Sequence, residues 1–198
     1  MRRGRGDNCR ARGACFGCSA GRSTRALDPN ESMRDVYWPR ELGDLRLAIM
    51  PRPRAGEWLE EEIAVWRAEG LETVVSLLES SEVEELGLAS EPTLCTAQGI
   101  QFFSFPIPDR GVPVTHRAIA PLVQTLASEL RSKRAVGIHC RAGIGRSALV
   151  AASLMSAIGI TPADAFAMLS RARGVAVPDT EAQTSWVNEF ARLQRLGI

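Results

Sequence analysis

The sequence comprises 198 residues, of which 45% are hydrophobic and 24% charged, the usual balance of one soluble globular domain. Its formal net charge of +1 argues against a large nucleic-acid-binding surface, and no apolar run reaches the length that spans a bilayer. The five cysteines are an odd number with no secretory signal before them, which argues against a disulfide-stapled secreted domain. The charge, the hydropathy and the cysteine count therefore favour the reducing cytoplasm, with no nucleic-acid partner and no integral membrane segment. We also expect a monomer.

The first part of the chain differs in composition from the rest. Residues 1–25 contain seven arginines, many Gly and Ser, and almost no large apolar side chain. Such a segment buries too little surface to offset its ordering entropy, so we predict that it is disordered. An alternative is that translation begins at Met33 and that the preceding residues are an artefact of gene prediction. We divide the chain into a basic N-terminal segment, 1–32, and one folded domain, 33–198.

A C-x-x-C pair lies in the N-terminal segment, at Cys15 and Cys18. A structural zinc site needs further Cys or His ligands, and the only histidines are the distant His116 and His139. We expect these thiols to be incidental, and we expect no metal and no cofactor.

Strands and helices alternate from Trp38 onward, which predicts an α/β domain with a central, mostly parallel sheet flanked by helices on both faces. The acidic stretch 79–95 is predicted to be an irregular connection with one helical turn at 82–87. The predicted strands cover 45–50, 73–78, 100–105 and 135–138, and the predicted helices cover 57–69, 115–131, 146–158, 161–174 and 180–196.

The segment HCRAGIGRS, residues 139–147, lies between a predicted buried strand and a predicted helix. A strand–loop–helix junction presents backbone N–H groups and the positive end of the helix dipole to an anion. Gly143 and Gly145 permit the tight curvature of such a loop, and Arg146 can hold two phosphate oxygens with its planar guanidinium. Cys140 would lie at the base of this cradle. The residues predicted to surround a bound phosphate are Arg141, Ala142, Gly143, Ile144, Gly145 and Arg146.

The same segment predicts nucleophilic chemistry at Cys140. The helix N-terminus and nearby cations favour the thiolate, which could attack phosphorus and form a phosphocysteine intermediate. Ser147 can donate a hydrogen bond to the sulfur as it leaves, and His139 is expected to orient the loop rather than to act as a base. An inert buried cysteine beside a helix cap is the alternative interpretation.

The loop contains every element of H-C-x-x-G-x-x-R-[S/T], and residues 38–196 thereby resemble the protein tyrosine phosphatase superfamily. The resemblance implies a general acid on an upstream loop, and Asp109 in FPIPDRGVP, residues 105–113, fits this role. A simple turn is the alternative for that loop. The resemblance also places Gln183 near the phosphocysteine, where it would either position the hydrolytic water or only cap the last helix.

The chain's length and the Ile-Pro-Asp loop most resemble compact dual-specificity phosphatases such as the kinase-associated phosphatase. That resemblance implies phosphotyrosine and phosphoserine/threonine proteins as substrates. Arg141 keeps a phosphoinositide phosphatase open as an alternative. A rhodanese-like sulfurtransferase and a non-catalytic phosphopeptide-binding module, which use a similar anion loop, are the remaining alternatives.

Overall fold

The computed structural model describes residues 35–197, which form a four-stranded sheet and the helices packed on it. Two short 3₁₀ helices, Arg40–Leu42 and Gly56–Trp58, accompany these elements. The strands are β1 (Leu47–Met50), β2 (Thr73–Ser76), β3 (Gln101–Ser104) and β4 (Val136–His139). The helices are α1 (Leu59–Ala68), α2 (Ser80–Glu85), α3 (Glu91–Ala97), α4 (His116–Arg131), α5 (Gly145–Ala157), α6 (Pro162–Arg173) and α7 (Glu181–Leu196).

The sheet has the strand order β1-β4-β2-β3, and every pairing is parallel. All residues of β1, β2 and β4 are buried, as expected for strands covered on both faces. The last residue of β4, His139, pairs with Met50 on one side and with Ser76 on the other. The loop that follows β4 therefore leaves the carboxyl edge of the sheet at its centre.

Two hydrophobic clusters cover the two faces of the sheet. One contains Ile138 of β4 with α4, α5, α6 and α7, and the almost wholly buried α5 lies at its centre. The other joins Val74 of β2 to α1 and α3, through side chains such as Trp66 and Cys95. The predicted α/β class, with helices on both faces of a parallel sheet, is confirmed.

The prediction of an irregular connection over 79–95 was wrong, because α2 and α3 occupy most of it. Glu79 and Glu82 form a capping box at the start of α2, in which the Glu79 N–H donates to Glu82 Oε2 at 3.0 Å. Pro92 lies in the first turn of α3, where its missing N–H costs no helical hydrogen bond. Helices of six and seven residues are too short to display the apolar period on which the prediction relied.

The helix starts predicted from capping residues are confirmed. Thr115, Thr161 and Thr180 each accept a hydrogen bond from the backbone N–H three residues later. Gly174 ends α6 in the left-handed conformation.

The predicted N-terminal segment, its C-x-x-C pair and the alternative start at Met33 lie outside the described residues. Between residues 35 and 197, every helix is too short or too polar to span a bilayer.

Candidate active site

The predicted anion loop lies between β4 and α5, at the carboxyl edge of the sheet. Cys140 follows the last residue of β4 and is 3% exposed, while Ser147 is fully buried in the first turn of α5. Their Sγ and Oγ atoms are 3.6 Å apart, within hydrogen-bonding distance for sulfur. The fold thus brings together the predicted nucleophile, the predicted hydroxyl and the positive end of a 13-residue helix.

Two glycines of the loop allow close approach by neighbouring segments. Gly143 has a φ of +69°, and a Cβ atom there would lie 2.6 Å from the Met50 carbonyl oxygen at the end of β1. A Cβ atom at Gly145 would collide with the Asp179 carboxylate and would lie 3.1 Å from Nε2 of Gln183. These positions therefore need glycine for the space around the loop as well as for the predicted curvature.

Arg146 is 2% exposed and makes a two-point contact with Glu82 of α2. Its Nη1 donates to Glu82 Oε2 at 2.6 Å and its Nη2 to Glu82 Oε1 at 2.9 Å. Nη1 also donates to the Ile107 carbonyl at 3.0 Å. Sequence reasoning missed Glu82, although a buried arginine needs a buried carboxylate partner and α2 supplies one.

Glu82 and Arg146 each stabilise the charged form of the other. The hydrogen bond from Arg146 is the main reason that the pKa of Glu82 lies below its usual range. Burial acts to lower the pKa of Arg146, but the Glu82 hydrogen bond and the nearby Cys140 charge outweigh it, so this pKa is raised. The guanidinium is therefore held as a fixed cation beside the cysteine.

Asp109 lies on the loop that follows β3 and reaches the same guanidinium. Its carboxylate is 62% exposed, and Oδ1 accepts a hydrogen bond from Nη2 of Arg146 at 3.0 Å. The predicted acid, Asp109, thus contacts Arg146, which in turn lies beside the predicted nucleophile, Cys140. The exposure leaves the carboxylate accessible to a substrate.

Gln183 is fully buried and contacts both loops of the site. Its backbone N–H donates to Thr180 Oγ1, the N-cap of α7, but its side chain takes no part in that cap. Nε2 instead donates to the Gly111 carbonyl at 3.0 Å, on the loop of Asp109, and also lies against Gly145. Oε1 is buried without a hydrogen-bond partner among the described residues. Of the two roles predicted for Gln183, capping the last helix involves its backbone N–H, and its side chain is available for the other, positioning a water.

His139 is fully buried beneath the loop and faces a second acidic side chain that sequence reasoning missed. Its Nε2 is 2.8 Å from Oε1 of Glu91, which is also buried. The Trp66 ring packs against the imidazole at a centroid distance of 5.9 Å. This burial agrees with the predicted orienting role. Burial and the Glu91 charge raise the pKa of the Cys95 thiol to about 12, which disfavours its nucleophilic thiolate form.

Arg141 lies at the rim of the site, with 43% of its side chain exposed. It donates to Glu85 Oε1 at 2.7 Å and lies 3.8 Å from a Glu82 oxygen. The hydrogen bond to Glu85, and then the charge on Glu85, raise the pKa of Arg141. The one basic side chain that favoured a lipid substrate is therefore paired with acidic groups of α2.

A parallel α/β sheet that ends in a Cys-x₅-Arg loop at a helix N-terminus defines the class of cysteine-dependent phosphatases. The chain belongs to the family "Dual specificity phosphatase, catalytic domain", whose model matches residues 74–192, more than half of the sequence. The predicted superfamily and its compact dual-specificity type are confirmed.

Similar proteins agree with this family. Cyclin-dependent kinase inhibitor 3 of Rattus norvegicus is 28% identical over 134 residues, which cover 67% of this chain and 63% of that protein, less than two thirds of its length. A structure of kinase associated phosphatase with its catalytic-site cysteine replaced by serine has a TM-score of 0.72 at 22% identity, covering 81% of this chain and 95% of that one. PTPMT1 in complex with PI(5)P has a TM-score of 0.64 at 18% identity, covering 77% and 94%. These two structures show a shared fold.

Proposed function

We propose that this chain hydrolyses phosphate monoesters through a phosphocysteine formed on Cys140. The observation that carries the proposal is the 3.6 Å approach of Cys140 Sγ to Ser147 Oγ at the start of α5, beside an arginine that Glu82 holds in place. A thiolate, an anion cradle and a fixed cation are the groups that in-line displacement at phosphorus requires. Membership of the family supports the same reaction.

In the first step the Cys140 thiolate attacks phosphorus, an S–P bond forms, and the bond from phosphorus to the leaving oxygen breaks. Asp109 gives its proton to that oxygen, so the product leaves as a neutral alcohol or phenol. The loop N–H groups of residues 141–146 and the guanidinium of Arg146 bind the three non-bridging oxygens. Because Asp109 now accepts from Nη2 of Arg146, its carboxylate must release that nitrogen when phosphate binds.

In the second step water attacks phosphorus, the S–P bond breaks, and inorganic phosphate leaves. Asp109, ionised by the first step, accepts a proton from the water, and the Ser147 hydroxyl donates to the departing thiolate. Gln183 orients the water, because its buried amide lies between the loop of Asp109 and Gly145. His139 holds the start of the loop from below.

We propose phosphotyrosine and phosphoserine/threonine proteins as substrates of the catalytic domain 33–198, acting as a monomer in the cytoplasm. The compact dual-specificity family supports the substrate class. A phosphoinositide is the second candidate, because the similarly folded PTPMT1 is described in complex with PI(5)P. The pairing of Arg141 with Glu85 favours the protein substrate, since it offsets the positive charge at the rim that an acidic headgroup would use.

The test is a turnover panel of phosphotyrosine peptide, phosphothreonine peptide, phosphoinositide and p-nitrophenyl phosphate at equal concentration, in buffer with EDTA. We expect the wild type to turn over these substrates. Cys140→Ser should abolish turnover but still bind inorganic phosphate, and Cys95→Ala should leave turnover unchanged. Binding of phosphopeptide without turnover would support the binding-module alternative. Sulfur transfer from thiosulfate without phosphatase activity would support the sulfurtransferase, and either result would overturn the proposal.

A further inference from the structure

Three successive carbonyl groups of the anion loop accept hydrogen bonds from outside the loop. The Arg141 carbonyl accepts from the Arg52 N–H at 3.4 Å. Arg173, the last residue of α6, donates from Nη2 to the Ala142 carbonyl at 3.2 Å and from Nε to the Gly143 carbonyl at 3.3 Å. One guanidinium thus holds two consecutive peptide groups.

The orientation of these carbonyls determines where the loop can bind an anion. A peptide group is planar, so a carbonyl that points out of the loop turns the N–H of the next residue towards its interior. Converging N–H groups form the concave anion site on which the proposed chemistry depends. The charge of Arg173 strengthens its two hydrogen bonds relative to neutral donors.

The guanidinium of Arg173 also lies over the ring of Tyr37, the sole tyrosine of the chain. The guanidinium carbon of Arg173 is 4.2 Å from the Tyr37 ring centroid, within the range of a cation–π contact. Tyr37 is fixed in turn by an antiparallel bridge to Ile49 of β1, with hydrogen bonds of 3.0 and 3.1 Å. Its hydroxyl donates to Asp35 at 2.8 Å. The stack immobilises the long arginine side chain, which reduces the entropy that its two hydrogen bonds must overcome.

We propose that Arg173 is a positioning residue that sets the peptide planes of the phosphate-binding loop, and that Tyr37 is the platform that holds it. The expected effect on catalysis rests on the proposed function, whereas the expected effect on phosphate binding does not. It extends the site beyond the residues that the loop motif contains. It also couples the segment before β1 to phosphate affinity.

The experiment compares Arg173→Ala, Arg173→Lys, Tyr37→Ala and Tyr37→Phe with wild type. Two quantities are measured: kcat and KM on p-nitrophenyl phosphate, and the Kd of inorganic phosphate by calorimetry in the Cys140→Ser background. We expect Arg173→Ala to weaken phosphate binding by about tenfold, as for the loss of one or two charge-assisted hydrogen bonds, and to lower kcat/KM by at least as much. Tyr37→Ala should show part of this loss, and Tyr37→Phe, which keeps the ring, should restore it. Arg173→Lys should retain less phosphate affinity than Tyr37→Phe, because an ammonium group cannot hold two carbonyl groups in one plane.

Arg171→Ala is the matched control, because Arg171 lies on the same helix and pairs with Glu41 at the surface. It should leave both quantities at wild-type values. Phosphate affinity and kcat/KM that are unchanged in Arg173→Ala would overturn the inference, as would a loss confined to the melting temperature. If Arg173→Ala does not fold, the Tyr37 pair and Arg173→Lys give the same comparison. Phosphate binding that depends on Arg173 in a chain without turnover would refute the proposed function while supporting this inference.

Discussion

Arg146 does not have the open surroundings expected of an arginine whose only role is to bind phosphate. It is almost fully buried, and Glu82 occupies both of its terminal nitrogens. A buried pair of this kind is costly to break, because the remaining charge is left in a medium that solvates it poorly. The pair keeps the guanidinium in one place before substrate arrives, which removes a reorganisation step from the reaction.

Replacing Glu82 by Gln tests this arrangement. We expect the free energy of unfolding to fall by about 1–3 kcal/mol, because a neutral amide meets a buried guanidinium and can accept only one of its hydrogen bonds. Turnover should fall with it, since Arg146 loses its fixed orientation. Urea unfolding and kcat/KM are the measurements. Glu85→Gln on the same helix is the control, because Glu85 pairs with the exposed Arg141. Equal effects of the two substitutions would contradict the role given to Glu82.

Replacing Asp109 by Ala tests the acid. We expect kcat to fall by about 10²-fold or more on alkyl phosphates, because the leaving oxygen then departs without a proton. The Kd of phosphate should change little or decrease, since Arg146 also loses its contact with the carboxylate. Asp179→Asn is the comparison, because that carboxylate also lies beside the loop, at Gly145. A larger loss in Asp179→Asn than in Asp109→Ala would reassign the acid.

At the scale of elements, the short helices α2 and α3 supply the two acidic side chains on which the site rests. Glu82 of α2 holds Arg146, and Glu91 of α3 lies beneath His139. Both helices belong to the connection between β2 and β3, so this connection supports the loop from one side. The segment before β1 and the end of α6 support it from the other, through Tyr37 and Arg173.

The loop between β4 and α5 also depends on its contact with the end of β1. Gly143→Ala should inactivate the chain or lower kcat/KM by more than tenfold, because the added methyl group would overlap the Met50 carbonyl and push the loop outward. Gly99→Ala is a matched control, since its φ of +70° is nearly the same but the space around it is open. It should cost about 1–2 kcal/mol of stability and leave kcat/KM unchanged. Full activity in Gly143→Ala would show that the close approach is not required.

At the scale of the whole molecule, the Glu82 pair makes stability depend on pH. Because Arg146 lowers the pKa of Glu82 in the folded state, the unfolded chain binds this proton more tightly than the native one. The contribution of Glu82 is therefore complete above its unfolded pKa of about 4.3 and is lost as the pH falls through the lower folded value. Several exposed carboxylates titrate in the same window, so wild type alone cannot isolate it.

The difference between wild type and Glu82→Gln isolates this contribution. We expect the difference in unfolding free energy to be constant between pH 7 and pH 5 and to shrink below about pH 4.3, since Gln carries no titratable proton. Urea unfolding at a series of pH values measures it. A difference that stays constant down to about pH 2 would show that Glu82 does not titrate with folding.

Features that depend on residues close together along the chain could be predicted from the amino-acid sequence. The anion loop HCRAGIGRS could be identified because its characteristic residues occur at fixed spacings between a predicted strand and a predicted helix. The helix starts at Thr115, Thr161 and Thr180 could be placed because a cap is a hydrogen bond over three residues. The alternation of strands and helices predicted the parallel α/β sheet, because buried strands need crossover helices to cover them.

The side chains that hold that loop in place could be identified only from the folded chain. Glu82 lies 64 positions from Arg146, and Arg173 donates to carbonyls about thirty positions away. Neither contact could be predicted from a periodic pattern in the sequence. The sequence left Gln183 either to position a water or to cap a helix, and only the fold shows that its side chain contacts the loop of Asp109. The physical reason is that a buried charge takes whichever opposite charge or carbonyl the packing of the elements brings to it, and that packing is fixed by the whole core rather than by spacing along the chain.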